Sequence, residues 1–314
     1  MNKNILVYGA GVLGSYLAHR LIQSGNRVTL LARGNRLREL KDHGLTIRHA
    51  LQLKTTTDKV ALIEELAPED CYDIVFVVMQ YTQMPTVLPV LAHNQSKLFV
   101  LIGNNGSPAA MRDDILRVDP DKTVLFGFLG VGGRRENGRI VSIHTKPRMP
   151  VGSLSGEDYE QARGVLAKVL EGSGINVSYR NNMTAYLLSH IAFIMPVAYA
   201  CYAKDGKLTQ IDKPLLNSAI DATQEGFAVL KAIGIEIEPP ELEAYLQNKR
   251  ASYYRLLWVA NKTFIGRLAI SDHCMSAVGE MTALSEAFDR LKTAAPEVQT
   301  PAWDMLKQYL PVNP

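Results

Sequence analysis

The chain has 314 residues, 47% of them hydrophobic, and a net charge of +3. That length supports about two domains, each large enough to bury a core. The basic residues are scattered, and the short groups Arg33/Arg36/Arg38, Arg134/Arg135 and Lys249/Arg250 are too small to track a phosphate backbone, so no nucleic-acid partner is expected.

In chain order, "NILVY" (4–8) reads as a buried strand, with no signal-peptide stretch before it. "VLGSYLAHRLIQ" (12–23) has apolar residues at helical spacing and stops at Gly25, the expected C′ glycine. "RVTLLA" (27–32) is a second strand, and "NRLRELKDH" (35–43) is a helix ended by Gly44. After a variable stretch, "DIVFVVM" (73–79) and "KLFVLIG" (97–103) are continuous apolar runs, as in parallel sheets buried on both faces. "TVLFGFLG" (123–130) and "RIVSIH" (139–144) are further strands. "EDYEQARGVLAKVLEGSG" (157–174) is a helix, and "INVSYR" (175–180) is the last strand. This rhythm predicts an α/β fold, with a Rossmann-type doubly wound sheet over residues 1–180.

From Asn181 the patterns turn helical, over 183–203, 212–233, 239–265 and 276–293, so residues 181–314 are expected to form an all-α domain. Its most apolar stretch, 191–203, contains Pro196 and is too short to span a bilayer; it reads as a buried helix kinked at the proline. Cys71, Cys201 and Cys274 show no CxxC spacing, so no metal site is expected, and their scarcity suits a reducing, cytoplasmic setting. The apolar helical domain offers a surface for a homodimer.

The chemistry is concentrated in "GAGVLG", residues 9–14, between the first strand and the first helix. Gly9, Gly11 and Gly14 fit G-x-G-x-x-G, with Ala10, Val12 and Leu13 between them. The glycines allow a tight turn, close backbone approach to a pyrophosphate, and close helix packing. The helix N-terminus then offers N–H groups to the phosphates. An NAD site needs an acid at the end of the second strand, and "TLLARGNRLR" has none. Arg33 falls where the acid would be and Arg36 follows, which favours NADP through pairing with its 2′-phosphate. The plainer account is a glycine turn without a ligand and two solvated arginines.

The sequence resembles the ketopantoate reductase family over nearly its whole length. The resemblance rests on "ILVYGAGVLGSYLAHRL", "VTLLARGNRLRELKDHGL", "NNG", "GRRENGRI" and "NNMTAYLLSHIAF". It implies a Rossmann domain, a helical domain, and NADPH-dependent reduction of a 2-oxo acid. Gly9, Gly11, Gly14 and Arg33 fall on the family's cofactor positions, and Asn105 on an asparagine near nicotinamide and substrate. Gln80 stands where the family often has lysine. His190 falls on the family's catalytic lysine, and Ile194 replaces an asparagine four residues later. Asp272 keeps the acid of a Glu-x-Asp pattern whose first position is Ile270. These departures mark a divergent member with an altered active site.

Reduction of a ketone needs a proton or positive charge at the carbonyl oxygen. His190 is the expected donor, and Asp272 or Glu280 is expected to help keep it charged against burial. Otherwise His190 is a core histidine bonded to a helix carbonyl or Ser189, Asn105 is a turn residue, and Asp272 caps a helix starting near His273. The expected activity is reduction of a small 2-oxo acid or related ketone, ketopantoate included, with no membrane partner. The alternative is an NADP-binding sensor or partner-binding protein without turnover.

Overall fold

Apolar runs of about five residues, each closed by glycine or a polar turn, become strands in the computed structural model, which describes residues 3–157 and 159–311. In chain order these elements are β1 (Asn4–Tyr8), α1 (Val12–Gln23), β2 (Arg27–Leu31), α2 (Gly34–His43), β3 (Leu45–His49), β4 (Lys54–Asp58), β5 (Ala61–Ile63) and β6 (Ile74–Val78). There follow α3 (Met84–His93), β7 (Leu98–Ile102), α4 (Pro108–Leu116), β8 (Thr123–Gly127), β9 (Gly132–Glu136), β10 (Arg139–Ile143), β11 (Arg148–Gly152), α5 (Glu160–Leu170) and β12 (Asn176–Arg180). Helix α5 is shorter than expected, and Asp158 of the expected span lies outside the described residues.

Helix α1 stops where a left-handed residue becomes available. Gly25 has φ +85°, its N–H bonds Ile22 O at 2.9 Å, and Asn26 N–H bonds Leu21 O at 3.1 Å. That pair of bonds is the Schellman motif. Gly44 ends α2 differently: with φ +70° and an extended ψ, its N–H bonds Leu40 O at 3.0 Å and the chain turns straight into β3.

The main sheet has the order β12-β11-β8-β7-β6-β1-β2-β5 among the described residues. From β8 to β5 every pairing is parallel. Strand β11 runs antiparallel to β8, and β12 parallel to β11. The run β5-β2-β1-β6-β7-β8 is the doubly wound order, and it reverses between β1 and β6.

A second sheet, ordered β4-β3-β10-β9, was not foreseen. It is built from the variable stretch after Gly44 and from "GRRENGRI". Strands β9 and β10 are joined at Asn137 (φ +50°) and Gly138 (φ +76°), the two positive-φ positions of a type I′ hairpin. Against α1 this sheet packs a cluster of rings. Tyr16 lies 4.8 Å from His144, His19 lies 5.2 Å from His49, and His49 lies 6.1 Å from His144, centroid to centroid. His19 Nδ1 meets Asp58 Oδ2 at 2.6 Å, and Gln23 donates to the other oxygen at 2.7 Å.

The chain divides into two units: Met1–Gly103 with Pro108–Met183, and Asn104–Ser107 with Thr184–Pro314. Among the described residues of the second unit, the regular elements are helical. They are α6 (Met183–Tyr202), a 3-10 turn (Leu208–Gln210), α7 (Lys213–Ala232), α8 (Pro240–Asn248), α9 (Arg250–Asn261), the single turn α10 (Phe264–Gly266), a π-helical segment (Arg267–Ser271), α11 (Asp272–Ser276), α12 (Val278–Thr293) and α13 (Pro301–Lys307). The helix expected over 239–265 is therefore divided, first at Lys249, whose backbone leaves the helical region. Helix α13 was not anticipated. Its first N–H groups, on Ala302 and Trp303, are taken by the Glu225 carboxylate at 3.1 and 2.8 Å, and Trp303 stacks on Phe288 at 4.3 Å.

Pro196 lies inside α6. The apolar run extends back to Met183, so α6 is long enough by length and composition to cross a membrane, contrary to the expectation from 191–203 alone. Even so, 67% of its most apolar window is buried within the protein, as in a core helix.

Burial, together with His19, His144, Lys54 and Arg20, pushes His49 down to about 4. Burial also lowers His144, with the Thr145 backbone opposing. A folded-state pKa below the unfolded 6.5 means the native state resists protonation. The stability contributed by the neutral rings is complete above pH 6.5 and is lost as pH falls toward 4. Thermal melts across that range are expected to show a falling midpoint, with a shallower fall in His49→Gln. A variant slope equal to that of the wild type would remove His49 from the account.

Candidate functional site

At the switch point the chain leaves β1 through Gly9, whose φ is +118°. A Cβ there would overlap the carbonyl oxygen of Val78, the last residue of β6, and a Cβ on Gly14 would overlap Gly9 O. These glycines let the turn cross β6 and let α1 settle on the turn. Gly11 differs: nothing lies within 4 Å of its Cβ position. It is the exposed N-cap of α1, with no side-chain cap bond and no acid in the first turn. An uncapped helix start carries positive potential and donor N–H groups, which suits a phosphate. Val12 and Leu13 are half-buried behind it. Ala10 is buried, and its carbonyl accepts from Ser15 Oγ and Arg36 Nε, both at 3.1 Å.

The two arginines are placed differently. Arg33 is exposed at the start of α2, donating to Tyr8 Oη at 2.8 Å and to Glu64 O at 3.2 Å, with its guanidinium 5.8 Å from the Tyr8 ring. Arg36, expected to reach for a phosphate, is 5% exposed. Its donors go to Ala10 O, Gly138 O, Ser15 Oγ and Glu39. Gln80 is half-buried just after β6, and its carbonyl accepts from Gln83 N–H at 2.9 Å and Met84 N–H at 3.2 Å at the start of α3.

Asn105 is 1% exposed, and its Oδ1 accepts from Ser107 N–H at 2.9 Å, the bond expected of a turn residue. Sequence reasoning passed over its neighbour. Asn104 is also buried, and its Oδ1 makes no protein hydrogen bond. A buried polar atom of that kind points to a ligand or water. "NNG" carries both residues, so the signal was present but ambiguous.

In the second unit His190 is half-buried on α6, its ring parallel to that of Tyr186 one turn earlier at 6.3 Å. Burial, and then the neighbouring His273, push it down to about 4. The His273 imidazole beside it therefore adds to burial in disfavouring protonation. Glu280 is 3% exposed with Oε2 3.6 Å from His273 Nε2, and Asp272 lies 3.6 Å from Arg267 Nε. Asp272 opens α11 but does not cap it, because its own backbone and that of Ser271 before it are already helical. Ser189 Oγ accepts from Glu238 N–H at 3.1 Å.

Residues 5–156 match the family described as "Ketopantoate reductase PanE/ApbA". Across these residues the chain belongs to the ketopantoate reductase family. A 2-dehydropantoate 2-reductase of Pyrococcus abyssi (strain GE5 / Orsay) is 22% identical over 273 residues, 82% of this chain and 86% of that one. Among solved structures, D-mandelate dehydrogenase in a ternary structure with NADH and anilino(oxo)acetate is similar at a TM-score of 0.76 and 19% identity, covering 98% of this chain and 96% of that one. A PanE/ApbA family ketopantoate reductase from Ralstonia eutropha JMP134 has a TM-score of 0.72 and 18% identity, covering 98% and 96%. At such identities the structural likeness speaks to the fold. Membership of the ketopantoate reductase family places the chain among oxidoreductases acting on CH–OH groups. The matched span contains the glycine turn, Arg33, Arg36, Gln80 and Asn105, whereas His190 and Asp272 lie beyond it.

The geometry separates the glycines. Gly14→Ala forces a Cβ into backbone and is expected to lower unfolding stability by about 1–3 kcal/mol or more. Gly11→Ala meets nothing and should stay within about 1 kcal/mol of the parent, by the same steric logic. Denaturant melts of the two variants check this, and equal losses would contradict it.

Proposed function

We propose that the protein reduces a small 2-oxo acid or related ketone with NADPH, using His190 at the carbonyl oxygen. The carrying observation is the turn at the switch point, with Gly11 open, α1 uncapped and no carboxylate at the end of β2. These features fit a dinucleotide, whose nicotinamide supplies hydride to the carbonyl carbon when bound. Gly9 to Gly14 hold the pyrophosphate through backbone N–H groups. Arg33, exposed and steadied by Tyr8 and Glu64, pairs with the 2′-phosphate. Gln80 and Asn105 line the cofactor as hydrogen-bonding groups, and Asn105 also orients the substrate carbonyl. Asp272 completes the substrate set. D-mandelate dehydrogenase was solved with NADH. The missing acid and the presence of Arg33 favour the phosphorylated cofactor in this chain. Three free cysteines suit a cytoplasmic enzyme.

With a pKa of about 4, His190 is neutral at pH 7. It acts first as an N–H donor to the carbonyl oxygen. As negative charge develops on that oxygen the N–H proton passes to it, and the imidazole regains a proton from solvent, so the alcohol forms with the ring returned to its neutral state.

Two variants test the roles separately. Arg33→Gln should weaken NADPH by about tenfold or more, the scale of a lost charge-assisted bond, and leave NADH nearly unchanged. His190→Ala should bind NADPH normally while losing about 100-fold or more in kcat on whichever 2-oxo acid the wild type reduces. Retained turnover in His190→Ala would end its role as donor. Tight NADPH binding with no wild-type turnover on a panel of 2-oxo acids would favour the sensor.

A further inference from the structure

The bonds of Arg36 converge on one peptide. Ala10 O accepts both Arg36 Nε and Ser15 Oγ at 3.1 Å, and Arg36 Nη2 also reaches Ser15 Oγ at 3.3 Å. The far side of the guanidinium is held by Gly138 O at 2.8 Å and Glu39 Oε2 at 3.0 Å. The C=O and N–H of a trans peptide point in opposite directions. Drawing the Ala10 carbonyl inward with two donors therefore turns the Gly11 N–H outward, on an exposed residue with open space where a Cβ would stand. A buried guanidinium spent on carbonyls is poorly placed to gain a phosphate, since each new bond would cost an existing one.

We infer that Arg36 is a positioning residue, a strut from the Gly138 hairpin to the Ala10–Gly11 peptide that presets the turn for the dinucleotide diphosphate. Cofactor choice then rests with Arg33, and turn geometry with Arg36. This inference rests on the nucleotide reading above for its binding consequences, but not for its structural ones.

The test uses the full chain with Arg36→Gln, the milder Ser15→Ala, and Arg33→Gln as contrast. Hydrogen exchange over residues 9–16 is measured without nucleotide, and NADPH and NADH are titrated separately. Arg36→Gln should speed exchange in that segment and weaken both nucleotides by the same factor, about tenfold for a lost bond to a charged group, leaving their ratio at the wild-type value. Ser15→Ala should do the same to a smaller degree, and it decides the matter if Arg36→Gln does not fold. Weakening of NADPH alone would make Arg36 a phosphate ligand and overturn the strut. Unchanged exchange in a folded variant would also overturn it. If the wild type binds neither nucleotide, the functional reading fails, and exchange alone decides the strut.

Discussion

The architecture depends on a close approach that only glycine permits. The carbonyl oxygens of Val78 and Gly9 occupy the volumes where side chains at positions 9 and 14 would begin. Because those volumes are free of Cβ atoms, β1 passes beside β6 and turns at once into α1. The turn therefore lies where the strand order reverses, which is where open α/β sheets bind ligands. The buried strands around it, Ile5–Tyr8 and Ile74–Val78, make that placement rigid. A Schellman end at Gly25 returns the chain to β2, whose end carries Arg33.

The second sheet extends this logic. Its Asn137–Gly138 turn brings a carbonyl to Arg36, and its inner face covers α1 with imidazoles. A single carboxylate, Asp58, is bonded to that ring cluster and is shared by His19 and Gln23. Burial first, and then the neighbouring His19, His144, Lys54 and Arg20, hold His49 low. The sheet is thus held by neutral packing, and the turn of α1 is braced from outside the main sheet.

The centre of the main sheet was legible because buried parallel strands are uniformly apolar and their helices end in glycine. Its strands β5 and β11 were not read, and "RIVSIH", read as part of that rhythm, pairs in the small sheet as β10. The small sheet was not. "KTTTD" and "GGRRE" are polar on both faces of the strand, so no alternation marks them. The Asn-Gly pair at 137–138 was the one local sign, and it was available. Arg36 was misplaced for a different reason. Distance along the chain from Arg33 suggested a shared task, but helical phase puts Arg36 with Leu37 and Leu40 on the buried side of α2. Phase, not proximity, decides where a side chain on a helix goes. The division of 239–265 had no such sign, because the pattern stays helical through Lys249.

The same distinction between position and environment bears on His190. A lysine at that place, as the resemblance would have it, starts from about 10.4 and keeps its charge at neutral pH against a displacement of the size His190 undergoes. Histidine starts at about 6.5 and reaches about 4, so the same surroundings leave it neutral. It remains a hydrogen-bond donor after losing its charge, because neutral imidazole keeps one N–H. What the exchange gives up is a standing proton. Any donor role for His190 then requires the charge that draws the proton to arise during the reaction, at the oxygen itself. Repulsion from the His273 imidazole reinforces that dependence.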